Sequence, residues 1–168
     1  MSRPRFRRPR GLTLIEIAVA ICILAVIATL AAPSLRERIA RQRLVSAAEM
    51  LSLDLAEARV EAVRSGQELH VVFDRRADWC YAVARTPGCA CGEPAACQLK
   101  VVRAADTPGV SVAEAEDAHF DVSGTSAEGA KILLRGGADG AEGLRVGLSP
   151  LGRPTVCTTT GVRGYPGC

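Results

Sequence analysis

The chain has 168 residues and a mass of 17.7 kDa, one domain's worth, which argues against a two-domain enzyme. Apolar residues make up 48% and charged residues 23%, a balance that excludes a disordered chain or a wholesale polyion and predicts a buried core. The formal charge of +3 is unevenly placed: Arg3, Arg5, Arg7, Arg8 and Arg10 crowd the first ten residues, and the remainder carries 16 basic residues against 18 acidic ones.

After a basic leader over residues 1–11, Leu12 to Ala32 is a run of 21 residues with one charge, Glu16. As a helix it reaches about 31 Å, enough for a hydrocarbon core of about 30 Å. A cleaved secretory signal has a shorter apolar run, and Leu30-Ala31-Ala32 offers only a loose small-residue site at the end of a long one. A lipoprotein signal needs a small residue before its cysteine, whereas Ile21 precedes Cys22. A retained helix over 12–33 fits, with the arginines holding the N-terminus in the cytoplasm and everything after Pro33 beyond the membrane. An ionised Glu16 inside that helix costs about 2.5–3.5 kcal/mol, which either snorkelling or a partner cation must offset.

Beyond Pro33, residues 34–66 continue as an amphipathic helix. Leu44, Ala48, Leu51, Leu55, Ala58 and Ala62 recur at steps of three and four on one face. Arg36, Arg38, Arg41, Arg43, Glu49, Asp54, Glu57, Arg59, Glu61 and Arg64 are expected on the solvated face, and Ser65-Gly66 supplies the stop. A helix from Leu12 to Ser65 would run roughly 80 Å, with Pro33 as a kink. Such a spine is bare over half its length in a monomer, and packing against like spines is its natural use.

From Gln67 the period shortens. Leu69–Phe73, Trp79–Arg85, Gln98–Arg103, Val110–Ala113, Lys131–Arg135, Leu144–Leu148 and Thr155–Thr158 read as short strands between Gly, Pro and Asp turn signals. The expected fold class is α+β, with a small, mainly antiparallel sheet domain over 67–168 packed on the C-terminal half of the helix. Gly136 to Gly143 reads as a turn rather than a phosphate loop, because no Lys-Ser/Thr or helix start follows it.

Seven cysteines are present, and Cys22 falls in the apolar run, leaving six beyond it. An even number on the far side of a membrane points to disulfides. Cys80, Cys89, Cys91 and Cys97 cluster in an insertion over 80–97, while Cys157 and Cys168 bracket the tail. Six cysteines allow 15 pairings. A Cys157–Cys168 bridge with two bridges inside the cluster is preferred, and a four-thiolate zinc site is the rival, disfavoured because paired C-x2-C knuckles are lacking.

No catalytic residue, cofactor or metal site is expected. His70 and His119 have no adjacent Ser or Cys motif needing a base, and Glu114, Glu116 and Asp117 read as a solvated turn. The tail over 149–168 is the one place where a ligand can be argued. From Gly143 onward the chain carries Arg145, Arg153 and Arg163 and no acidic residue. Arginine forks match phosphate oxygens, and Tyr165 offers a ring on which a base can stack, which makes DNA a candidate partner.

The segment Arg10-Gly11-Leu12-Thr13-Leu14-Ile15-Glu16 resembles the type III signal of type IV pilins and type II secretion pseudopilins. The resemblance implies cleavage between Gly11 and Leu12 by a prepilin peptidase, N-methylation of Leu12, and pairing of Glu16 with the N-terminal amine of a neighbouring subunit. Pro33 then falls where many of these proteins carry a helix-kinking proline. Ala58 to Gln67, Phe120-Asp121-Val122-Ser123-Gly124-Thr125 and Leu148-Ser149-Pro150-Leu151-Gly152-Arg153 are similar to landmarks of the GspH/FimT group. That group implies a structural subunit of the inner membrane and periplasm, with other pilins or pseudopilins as partners, in a type IV pilus or alternatively a type II secretion pseudopilus. Some FimT-like minor pilins of transformable bacteria carry a C-terminal, DNA-binding Gly-Arg-x-Arg motif. Here Gly152-Arg153-Pro154-Thr155 lacks the second arginine, and Arg163 is the candidate to stand in for it.

Overall fold

A computed structural model describes residues 13–92, 96–137 and 139–168, with the backbone alone at residues 30 and 33. Helix α1 runs over Leu14–Ser65, and it is followed by strands β1 (Leu69–Asp74), β2 (Cys80–Ala84) and β3 (Gln98–Arg103). Strands β4 (Ser111–Ala115), β5 (Ala118–Phe120), β6 (Ala130–Gly136), β7 (Glu142–Leu148) and β8 (Pro154–Thr158) complete the chain. The described residues divide into two compact units, one ending at Arg36 and one over residues 37–168.

In the first unit α1 is lined by exposed apolar side chains, among them Leu14, Ile15, Ile21, Leu24 and Val26. Among the described residues no single helix is long and apolar enough to cross a membrane, whereas Leu14–Thr29 and Ser34–Ser65 meet that requirement together. Gly11 and Leu12 lie outside the described residues, as does the side chain of Pro33.

In the second unit the strands form two four-stranded sheets, ordered β3-β2-β1-β5 and β4-β6-β7-β8, with every strand pair antiparallel. The inner faces of both sheets and one stripe of α1 share a single apolar core. All six residues of the expected stripe, Leu44, Ala48, Leu51, Leu55, Ala58 and Ala62, are buried in it, because a 3.6-residue period keeps them on one side. Each fully buried leucine there contributes about 1.5–3 kcal/mol.

Two expectations need correction. Strand β5 is additional, since three residues are too few to show a period and its structure comes from pairing with β1. Asp54 is not on the solvated face. It is 3% exposed and accepts hydrogen bonds from the Tyr81 hydroxyl at 2.8 Å and Lys100 Nζ at 2.6 Å. A carboxylate tolerates that depth because two strands bring it donors. Burial, then the Asp54 carboxylate, pushes the Tyr81 phenol well above its ordinary range, and Asp54 also raises Lys100.

The cysteines of the insertion form Cys80–Cys91 and Cys89–Cys97, and the tail closes with Cys157–Cys168. Every residue of β2 is buried. Tyr81 and Val83 face the main core, while Cys80 and Ala82 meet Cys91 and Val101 in a second, small cluster on the opposite face. The stapled insertion therefore covers the outer side of the first sheet.

Candidate functional site

The three landmark segments that lie far apart in the chain meet in space. Arg59, half-buried on α1, donates from Nε to the Gly124 carbonyl at 2.9 Å. Gly124 has φ +77°, and a Cβ there would sit 2.8 Å from Val63 Cγ2. Gly152 has φ +71°, and a Cβ on it would be driven into the Gly124 carbonyl oxygen, so only glycine fits. Asp121 closes the middle segment by accepting from the Ser123 and Thr125 amides at 2.8 and 3.0 Å and from both hydroxyls. Those donors, led by the Ser123 and Thr125 hydroxyls, hold the Asp121 carboxyl well below its ordinary range. The landmarks thus build a joint between α1 and two loops.

The tail is more ordered than a free loop. Buried Thr158 donates to the Gly143 carbonyl and accepts from the Val162 amide at 2.9 Å, while the Cys168 amide returns to the Thr158 carbonyl. Tyr165 packs against the core and donates its hydroxyl to Glu49 of α1 at 2.6 Å. Burial, followed by the hydrogen bond to Glu49 and its charge, pushes the phenol up to about 12. The hydroxyl thereby ties the tail to α1.

Arg153 and Arg163 are exposed, Arg145 is half-buried on β7, and none of the three forms an ion pair among the described residues. Pairing of β6 with β7 sets Lys131 against Gly147, Leu133 against Arg145 and Arg135 against Gly143. Since alternate residues share a face, Lys131, Arg135 and Arg145 lie on the outer face of the second sheet, with Glu114 in the row of Leu133. The sequence reading missed Lys131 and Arg135, although their spacing of four within one strand carries the signal.

The acidic turn is structural: Glu116 accepts the Lys131 amide at 2.8 Å and Asp117 the Phe73 amide at 2.9 Å. His70 and His119 face each other across β1 and β5, with rings stacked at 4.8 Å. Desolvation, then the neighbouring His119, lowers the His70 pKa. Glu16 is exposed near the start of α1, where its amide donates to Thr13 Oγ1 at 3.3 Å.

Along α1 a groove opens beside β3. Leu53 and Val60, each 64% exposed, and Leu99 form its floor, with Glu57, Arg64 and Lys100 among its polar lining.

The fold is shared with the type IV minor pilin FimU of Pseudomonas aeruginosa strain PAO1, at 23% identity over 69% of this chain and 89% of that one, with a TM-score of 0.51. A second crystal form of FimU aligns over 66% of this chain and 90% of that one, at 23% identity and a TM-score of 0.47. A search of the curated proteins found no match. The family model described as type II transport protein GspH matches residues 47–152, which takes in the buried stripe of α1 from Ala48 onward, seven of the eight strands, and the landmark segments up to Gly152. The chain belongs to the GspH family of pilin-like structural proteins.

Proposed function

We propose that this chain is a minor pilin of a type IV pilus. A prepilin peptidase cuts between Gly11 and Leu12, Leu12 is N-methylated, and residues 12–33 hold the protein in the inner membrane. The N-terminus is cytoplasmic and the C-terminal domain periplasmic until the helix, bent at Pro33, enters the filament beside those of other pilins. The observation that carries this reading is a lone acid, Glu16, in a stretch of α1 whose apolar side chains are exposed. Leaving lipid for a filament core requires that acid to meet a cation, and the freed N-terminal amine of a neighbour supplies one. The groove at Leu53, Val60 and Leu99 takes a neighbouring pilin at the level of the globular domain.

Mass spectrometry of the mature N-terminus tests the reading, with a methylated chain beginning at Leu12 expected. A chain beginning near Pro33 would mean ordinary signal cleavage and overturn it. Glu16→Ala should be processed yet absent from filaments.

The family model's own description favours a second reading, a pseudopilin of type II secretion. Pilus or secretion genes beside this one separate the two. In the pilus reading Arg153, Arg163 and Arg145, with Lys131 and Arg135 on the adjoining sheet face, offer a weak, sequence-independent surface for DNA whose grip falls with salt. Gel shifts at low salt should weaken when Arg153 and Arg163 are replaced by alanine, and unchanged retardation would remove the DNA role.

A further inference from the structure

We propose that Glu68, His70 and His119 bind a divalent transition-metal ion of the zinc type. The chain has two histidines in all, and the strand register sets them directly opposite one another on β1 and β5. Glu68 precedes His70 by two residues, the spacing that returns a side chain to the same side of an extended segment. Its Oε2 lies 3.4 Å from His119 Nε2, and one donor atom from each of the three residues falls within 4.8 Å of the others. Two imidazole nitrogens and a carboxylate oxygen make a three-ligand set that leaves a fourth position for water.

The backbone beneath the trio is fixed while the side chains can adjust. Leu69, Val71, Ala118 and Phe120, the neighbours on the inner face, are at most 1% exposed and anchor both strands in the core. The side chains of His119 and Glu68 are 46% and 61% exposed. Donors around a tetrahedral zinc ion stand about 3.3 Å apart, given bonds of about 2.0–2.1 Å. The rings, stacked with 19° between their planes, reach that spacing by turning about χ2 so that both edges face one point. Asp117 lies outside the trio whose donor atoms come within 4.8 Å of one another, and its Oδ1 receives the Phe73 amide. Strand β5 is an edge strand, so the ion has an open approach.

The test uses the full chain in detergent, without a histidine tag, with its three disulfides intact and with Cys22→Ser to remove the free thiol. Zn2+ is titrated against a chromophoric chelator at about pH 7.5, where imidazoles are largely neutral. One ion per chain is expected, with at least about a tenfold loss of affinity in His70→Ala and in His119→Ala and a smaller loss in Glu68→Gln. In the unmutated chain, the NMR signals of both imidazoles should shift together up to one equivalent of Zn2+ and stay in place with Mg2+. Binding without a fixed stoichiometry, undiminished affinity in disulfide-intact His119→Ala, or movement of one imidazole alone would overturn the proposal.

Discussion

Arg59 Nε donates to the Gly124 carbonyl at 2.9 Å, and the Gly152 turn closes against the same carbonyl. One helical side chain therefore ties together a loop after β5 and the loop before β8. Replacing Gly152 by alanine combines an unfavourable φ with a backbone clash and should cost about 2–4 kcal/mol, whereas Arg59→Ala, which removes one hydrogen bond, should cost about 1–2 kcal/mol. Thermal unfolding followed by circular dichroism checks both. An unchanged midpoint for Gly152→Ala would mean that the joint carries no stability.

Asp54 is a second fastening, joining α1 to β2 through Tyr81 and to β3 through Lys100. Asp54→Ala leaves a buried phenol without its acceptor and should cost about 2–4 kcal/mol. Lys100→Met should cost less, about 1–2 kcal/mol, because the ammonium is 44% exposed and screened while the buried carboxylate it leaves behind keeps the Tyr81 hydroxyl as donor. Chemical denaturation of the two variants side by side gives the ordering, and a larger loss for Lys100→Met would contradict it.

Alkaline titration reads the tyrosines separately, since the chain has only two. Tyr165 should ionise near pH 12, and Tyr81, pushed higher still, should resist ionisation until the fold opens. Both groups bind their protons more tightly folded than unfolded. Their stabilisation is therefore complete below the ordinary tyrosine value of about 10 and declines as pH rises above it. Phenolate absorbance against pH is the measurement, with Tyr165→Phe removing the earlier step. Two equal, unshifted titrations would refute the assignment.

The groove residues should separate assembly from folding. Leu53→Glu and Val60→Glu place charges on a surface already 64% exposed, so the melting behaviour should change by less than about 0.5 kcal/mol. Recovery in filaments should fall several-fold relative to the unmodified chain. Normal recovery of both variants would show that no neighbour occupies the groove.

What was legible in the sequence follows the range of the interactions. The apolar stripe from Leu44 to Ala62 depends on a period within one helix, and all of it is buried as expected. Strand β3 was read to the residue, and β1, β2, β4, β6, β7 and β8 to within a few residues, since each has turn residues at its borders. Asp54 misled the reading because the donors that let it be buried lie 27 and 46 residues away, where no local pattern reports them. The histidine pair was invisible for the same reason: His119 gains its meaning from strand β5, which exists only through its register with β1. Arg145 was visible as composition, but its relation to Lys131 and Arg135 is a property of the β6–β7 pairing.

The two bridges of the insertion interleave, for Cys89 lies between the partners of one and Cys91 between the partners of the other. As the polypeptide emerges from its amino end, the first thiols available to each other are Cys80 and Cys89, which belong to different mature pairs. Oxidation in order of appearance would form a wrong crosslink, so the observed map is reached by oxidation after Cys97 has emerged or by thiol exchange that corrects an early Cys80–Cys89 bridge. The order of four sulfur atoms thus makes the timing of oxidation, and not proximity in sequence alone, decide which crosslinks this chain acquires.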